Sequence, residues 1–244
     1  MSSLTADAPV NQSVERAVRL LGFFSPEEPE LTLAELTARL GTAKATTHRY
    51  TLALRRVGLL RFDSARGVYT LGPRIVELAA AALAGLRIIK VAEPHMERLV
   101  ADLNETVVLS IWDGEAPIVV RADDNTERLA RIVVRAGSRL PLTDSAQGKV
   151  YCAFLPELES NLELEELESI RSSRIAVNSQ VVAGIRAVAT PVFQDNDVAA
   201  AMAVVGTAAT VPEDPSSPLA RRLRAAAERL SDELGFLRTE RSTA

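Results

Sequence analysis

Cysteine and histidine are scarce in this 244-residue chain, which contains one cysteine and two histidines. A single cysteine, Cys152, excludes an intramolecular disulfide and fits a reducing compartment. His48 and His95 lie far apart in the sequence, so the three side chains leave little from which to build a zinc site. We therefore expect neither a metal nor another cofactor.

Long apolar runs are also missing, since no stretch approaches the roughly 20 residues that a membrane-spanning helix needs. The first residues, MSSLTADAPVNQS, have neither the basic nor the apolar region of a secretory signal, and residues 1–10 are expected to form a disordered leader. These absences predict a cytoplasmic protein that does not contact the membrane.

Common enzyme motifs are absent, because the chain contains no P-loop, no G-x-S-x-G and no G-x-G-x-x-G. An enzyme with Cys152 as its nucleophile is one alternative. However, Cys152 occupies an apolar helix position in VYCAF, and no assisting base is evident. A buried structural thiol is favoured, and no catalytic residue is predicted.

Charge is unevenly distributed along the chain, although the net value is only −4. Residues 44–66 contain six basic side chains and a single acidic one, a net charge of +5, so the remainder carries −9. Local asymmetry of this kind can create a basic face on an acidic protein, as phosphate binding requires. The alternative is an ordinary solvated helix face.

The first third of the chain predicts three helices and a β-hairpin. One helix begins near Ser13, and a second follows the capping box of Thr32 and Glu35 and stops at Gly41. A third helix begins at Ala43 with Thr42 as its cap, and Leu52 and Leu54 anchor it in the core. Two short strands, LLRF and VYTL, flank the turn DSARG. This order is typical of a winged helix-turn-helix that places its third helix in the major groove of DNA.

Polar and basic residues at the start of the third helix and in the hairpin are the candidate DNA contacts. Hydroxyl groups can bond to phosphates or bases, and arginine can bond to guanine with two hydrogen bonds. The predicted DNA-binding residues are Thr32, Lys44, Ala45, Thr46, Thr47, His48, Arg49, Arg61 and Arg66.

The whole chain resembles the IclR family of bacterial transcriptional regulators. The resemblance is carried by SVERAVRLLGFF, LTLAELTARLGTAKATTHRYTLAL, YTLGPRIVEL, RAGSRLPLTDSAQGKVYCAF and GIRAVATPVFQDNDVAAAMAVVG. It implies an α+β protein with a winged helix-turn-helix at 11–72, a linker helix at 73–86 and a GAF- or PAS-like effector-binding domain at 87–239. It also implies a dimer or a dimer of dimers on a palindromic DNA operator, acting most often as a repressor.

The remaining pattern predicts an α+β regulatory domain. Helices are expected at 87–104, from about Asp144 to Phe154, at 157–169 and at 218–237, and strands at TVVLSIW, APIVVRAD, ARIVVRAG, IRAVATPVF and VAAAMAVVG. The alanine-rich linker helix would expose an apolar face unless a second chain covered it, so we expect dimerisation there.

The resemblance places a small-molecule effector between the sheet and the helix start at TDSAQGKVYCAF. Backbone N–H groups there can hold a carboxylate without a basic side chain. The predicted effector-binding residues are Trp112, Ser145, Ala146, Gln147, Tyr151, Asn178, Ala187, Ala203 and Val205, of which Trp112 and Tyr151 are candidate walls for a larger ligand or, alternatively, core residues. The last four replace more polar residues of oxoacid-sensing relatives, namely aspartate, cysteine and two serines, which favours a larger, partly apolar acid.

A ligand-sensing or interaction protein that does not bind DNA is the second alternative. Thr47, Tyr50 and Thr51 stand where aliphatic residues are common in the family, so the third helix is less apolar than expected. Altered docking of this helix would weaken DNA binding.

Overall fold

The protein is represented by a computed structural model that describes residues 11–124, 132–178 and 184–235. The chain divides into two compact units, one up to Gly85 and one from Leu86 onward. The predicted leader, residues 1–10, lies outside the described residues. Among the described helices, none is long and apolar enough to cross a membrane.

The first unit consists of four helices and a small antiparallel sheet. Its elements are α1 (Gln12–Leu21), β1 (Leu31–Thr32), α2 (Leu33–Leu40), α3 (Lys44–Arg56), β2 (Leu60–Asp63), β3 (Val68–Leu71) and α4 (Pro73–Gly85). The strand order is β1-β3-β2, so the hairpin gains a third, two-residue strand that the sequence analysis did not predict.

Leucine side chains at helical spacing build the core of this unit. Leu36 and Leu40 are four residues apart and therefore lie on one face of α2, where they pack with Leu20 and Leu54. Tyr69 of β3 closes this core from the hairpin side. The winged helix-turn-helix prediction is confirmed.

The second unit is a five-stranded antiparallel sheet with helices on both faces. Its elements are α5 (Arg87–Leu103), β4 (Thr106–Trp112), β5 (Pro117–Asp123), α6 (Ala146–Phe154), α7 (Leu164–Ser173), β6 (Ala176–Asn178), β7 (Ile185–Gln194), β8 (Asp197–Thr207) and α8 (Pro218–Leu234). The strand order is β5-β4-β8-β7-β6. This confirms the α+β prediction.

Successive side chains of β8 point to opposite faces of the sheet and so contribute to two separate apolar cores. Met202 and Val204 point towards α5 and α8, with Leu223 and Leu230 in the same cluster. Alanine side chains on the opposite face of β7 and β8 pack against α6. The helix-facing alanines are small, so α6 approaches the sheet closely.

Two predicted elements of this unit were wrong. ARIVVRAG was expected to be a strand, but its described residues, from Ile132, form no strand and accompany the edge of β5 through bonds such as Gly137 N–H to the Val119 carbonyl. The helix expected at 157–169 begins later, at Leu164. The three-residue strand β6 was not predicted.

Candidate DNA interface and effector site

A capping box begins α2, and a left-handed glycine ends it at the turn that leads to α3. Thr32 Oγ1 accepts a bond from Glu35 N–H, and the Glu35 carboxylate accepts bonds from both Thr32 N–H and Thr32 Oγ1. The hydroxyl of Thr32, a predicted DNA contact, is therefore engaged in capping. Gly41 ends α2 at φ = 69°, a conformation that favours glycine.

The exposed face of α3 carries most of the predicted DNA contacts. Lys44, Ala45, His48 and Arg49 are exposed, and Thr46 is half-buried. None of the charged or ionisable members forms an ion pair with any of the described residues. The start of α3 thus presents a basic, unneutralised surface.

Thr47 was predicted to face DNA, and this prediction was wrong. Its side chain is fully buried, and Thr47 Oγ1 lies 2.9 Å from Thr42 Oγ1. Thr42 was also expected to cap α3, but Ala43 is the N-cap residue and supplies no side-chain bond. Thr47 is buried because it lies seven residues, or about two helical turns, before Leu54, on the face of α3 that packs into the core.

Leu52 was expected to reach the core, yet it is 46% exposed. The buried position is taken by Thr51, whose Oγ1 lies 2.9 Å from the His48 carbonyl oxygen and 3.3 Å from the Tyr69 hydroxyl. A hydroxyl carries one proton, so Thr51 donates to His48 and accepts from Tyr69. Two of the three unusual residues of α3, Thr47 and Thr51, are therefore buried with hydrogen-bond partners.

The hairpin presents its two predicted arginines differently. Arg61 is exposed on β2 without an ion pair in the described part of the chain. Arg66 donates two hydrogen bonds of 2.5 Å to the carboxylate of Glu30. This bidentate pair lowers the pKa of the Glu30 carboxyl group and raises that of Arg66. Arg66 is thus neutralised at the hairpin tip.

The N-terminus of α6 forms one wall of the candidate effector site. Ser145 caps the helix, because its Oγ accepts a bond from Gly148 N–H, and its own N–H donates to the Pro141 carbonyl. The Ser145 N–H is therefore not available for a carboxylate, contrary to the prediction, which leaves the N–H groups of Ala146 and Gln147. A Cβ at Gly148 would lie 2.0 Å from the Leu142 carbonyl oxygen, so this close approach requires glycine.

The side-chain amide of Gln147 was not singled out by the sequence analysis. Gln147 is 3% exposed, and its Nε2 has no hydrogen-bond partner among the described residues. A buried amide donor without a partner costs about 1–3 kcal/mol. Gln147 also supplies one of the two free backbone N–H groups of the helix start.

The sheet forms the opposite wall. Asn178, Ala187 and Val205 lie in one row across β6, β7 and β8, and Ala203 follows one step along β8 on the same face. Ala187 packs at the edge of both neighbouring apolar clusters. This wall is mainly apolar and is built from small side chains.

Three predicted effector residues belong to the core. Ala146, Tyr151 and Ala203 have no exposed surface. The Tyr151 hydroxyl donates to the Ser110 carbonyl at 2.9 Å, and burial raises the pKa of Tyr151. Its ring centre lies 5.3 Å from that of Trp112, which is half-buried and remains accessible. Trp112 is therefore the aromatic side chain that can meet a ligand.

Comparison with known protein families bears on both units. The model of the IclR helix-turn-helix domain matches residues 13–64. That of the bacterial transcriptional regulator IclR C-terminal domain matches residues 80–166 and 159–232, which is more than half of the chain. The chain belongs to the IclR family. It is a helix-turn-helix transcriptional regulator, as the resemblance implied.

Several IclR-family proteins resemble this one along almost their entire length. The HTH-type transcriptional regulator KipR of Bacillus subtilis is 30% identical, with 93% of this chain and 98% of KipR covered. The DNA-binding transcriptional repressor YiaJ of Escherichia coli is 28% identical, with 93% and 89% covered. An IclR homologue from Microbacterium hydrocarbonoxydans, crystallised with 4-hydroxybenzoate, shares the fold with a TM-score of 0.72, 22% identity and 91% and 98% coverage.

Proposed function

We propose that this IclR-family regulator binds a palindromic operator as a dimer or a dimer of dimers, and that a small, partly apolar organic acid changes its affinity for that DNA. Repression is the proposed sign, supported by the relative named as a repressor. The protein would act in the cytoplasm and without a catalytic role. Burial raises the pKa of the Cys152 thiol, which disfavours the nucleophilic thiolate.

The exposed, unpaired basic face of α3 is the observation that carries the DNA-binding proposal. Lys44, His48 and Arg49 lie at the helix start, where free backbone N–H groups and the helix dipole also attract phosphate. The alternative without DNA binding rested on polar residues that could disturb the docking of α3. Thr47 and Thr51 are buried with hydrogen-bond partners, and Tyr50 packs against the core of the unit, which supports the docking of α3.

Arg49→Ala tests the DNA-binding proposal. With DNA from upstream of the protein's own gene, we expect the substitution to cost about 1–3 kcal/mol and to relax selectivity at particular bases. Fluorescence anisotropy at fixed salt measures both quantities, and Arg229→Ala, an exposed arginine on α8, is the control. Equal binding by wild type and Arg49→Ala to all duplexes would contradict the proposal.

The unpaired Gln147 amide carries the effector proposal. A carboxylate that accepts bonds from this amide and from the N–H groups of Ala146 and Gln147 would satisfy donors that lack partners among the described residues. The remainder of the ligand would lie against Ala187, Val205 and Trp112. The homologue crystallised with 4-hydroxybenzoate supports an aromatic acid as the first candidate.

Thermal shift measurements with Gln147→Leu test the effector site. Aromatic and acyl acids are expected to stabilise the wild type, and the variant is expected to bind them about tenfold more weakly, because one charge-assisted bond is lost. The variant itself should be no less stable than the wild type, since it removes a buried unpaired donor. The proposed ligand class is wrong if only two- or three-carbon oxoacids shift the melting temperature.

A further inference from the structure

Three arginines surround an open cleft between α3 and the hairpin. The cleft has a volume of about 590 Å³ and is lined by Leu52, Arg55, Arg56, Leu60, Arg61 and Phe62. The guanidinium carbon of Arg55 lies 5.1 Å from the centre of the Phe62 ring. This cation–π contact orients the positive group at the cleft before any ligand arrives.

The arginines of the cleft differ in their ion pairs from Arg39, Arg66 and Arg74 of the same unit. Across the three described segments, Arg55, Arg56 and Arg61 form no ion pair. Other arginines of the same unit are paired: Arg39 with Glu28 at 2.6 Å, Arg66 with Glu30 at 2.5 Å and Arg74 with Glu77 at 2.5 Å. The cleft therefore brings together three positive charges that lack an internal counter-charge, in addition to those at the start of α3.

The cleft continues the face of α3 that is exposed for DNA. Arg55 and Arg56 follow His48 and Arg49 by seven residues, so they lie two turns further along the same side of the helix. Arg61 reaches the cleft from β2 on the other side. If the start of α3 enters a major groove, the backbone strand that borders this groove passes between α3 and the hairpin.

We propose that Arg55, Arg56 and Arg61 form the main phosphate clamp of this protein and hold one strand of the operator backbone in the cleft. This inference rests on the proposed function and moves the principal backbone contacts from the hairpin tip to the cleft. Arg66 would have to exchange the Glu30 carboxylate for a phosphate, so its net contribution to the free energy of DNA binding is small. The clamp arginines exchange only water and counterions.

Glutamine substitutions in the full-length protein test the clamp. The Kd is measured for an operator duplex and a scrambled duplex between about 50 and 200 mM salt. Arg55→Gln, Arg56→Gln and Arg61→Gln are each expected to weaken binding to both duplexes about tenfold and to lower the salt slope by about 0.9. Arg66→Gln, in the same hairpin, is expected to lower the slope by less than half as much, and Arg74→Gln is the unchanged control.

The possible outcomes separate the clamp from the wider proposal. If Arg66→Gln lowers the slope as much as the cleft variants, or if the cleft variants retain the wild-type slope, the clamp is wrong. If the wild type binds no duplex in a salt-dependent manner, the proposed function fails. Thermal melting of each variant confirms that a lost contact is not simply a lost fold.

Discussion

At the scale of single residues, two buried threonines explain how a helix rich in polar residues docks in an apolar core. Thr47 shares a hydrogen bond with Thr42, whose side chain is half-buried and can turn to water. Thr51 joins α3 to the Tyr69 hydroxyl, which is buried with only this partner among the described residues. The two hydroxyls therefore have different importance for stability.

Thr51→Val is expected to lower the free energy of unfolding by about 1–3 kcal/mol, because the Tyr69 hydroxyl is left buried without a partner. The double variant Thr51→Val/Tyr69→Phe should recover part of this loss, since it removes the stranded group. Thr47→Val, the matched control, should change stability by less than about 1 kcal/mol. Chemical denaturation followed by circular dichroism measures all three, and a double variant less stable than Thr51→Val alone would contradict the interpretation.

At the scale of the element, α4 lacks a core within the described chain. None of its residues is buried, and Val76 and Leu83 are 71% and 42% exposed. These two residues and Ala79 and Ala80 between them are spaced by three or four positions and form an apolar stripe along one face. An exposed stripe of this kind favours a helical partner from a second chain.

Glutamate substitutions on α4 test whether this helix forms the proposed dimer contact. Val76→Glu and Leu83→Glu are each expected to raise the dimer dissociation constant at least tenfold, because a charge would be buried without a partner. Ala81→Glu, on the other side of the same helix, should leave the assembly unchanged. Sedimentation velocity measures the assembly, and a dimer that persists in both stripe variants would exclude α4 from the interface.

The helices and strands differ in how well their positions could be predicted from the sequence. Helices with caps, such as α2 with its Thr32–Glu35 box, were predicted within a few residues because each boundary has a local cause. The strands β1 and β6 have two and three residues, too few for a periodic pattern. Residues 132–134 are β-branched but form no strand, and the irregular bonds to β5 come from residues 137–140, an arrangement that depends on tertiary contacts.

Site residues were predictable from the sequence where the helical pattern alone determines whether a side chain is exposed. They were not predictable where tertiary packing determines it. Exposure of Lys44, His48 and Arg49 followed from the polar start of α3. The burial of Thr47 did not, because threonine suits both the core and the surface. The Gln147 amide lacks a partner because of the way α6 packs on the sheet. This packing cannot be predicted from a local sequence pattern.

At the scale of the whole molecule, charge is divided between the two units. Residues 1–85 carry ten basic and eight acidic side chains, whereas residues 86–244 carry 18 basic and 24 acidic ones. The net charge of +2 on the first part attracts phosphate, and −6 on the second repels it. Non-specific residence on DNA is thereby weakened relative to binding at a site that engages the α3 face and the clamp.

The segment beside β5 determines where copies of this protein can meet. β5 is the edge of the five-stranded sheet, and its Val119 N–H and carbonyl are bonded to Ser138 and Gly137, while Leu140 N–H bonds to the Pro117 carbonyl. The opposite edge is β6, with three residues. One edge strand is already bonded to the neighbouring segment and the other is short. The sheet therefore offers few unpaired backbone groups to a strand of another molecule. Self-association by continuous β-pairing is thereby discouraged, in keeping with the helical interface proposed for α4.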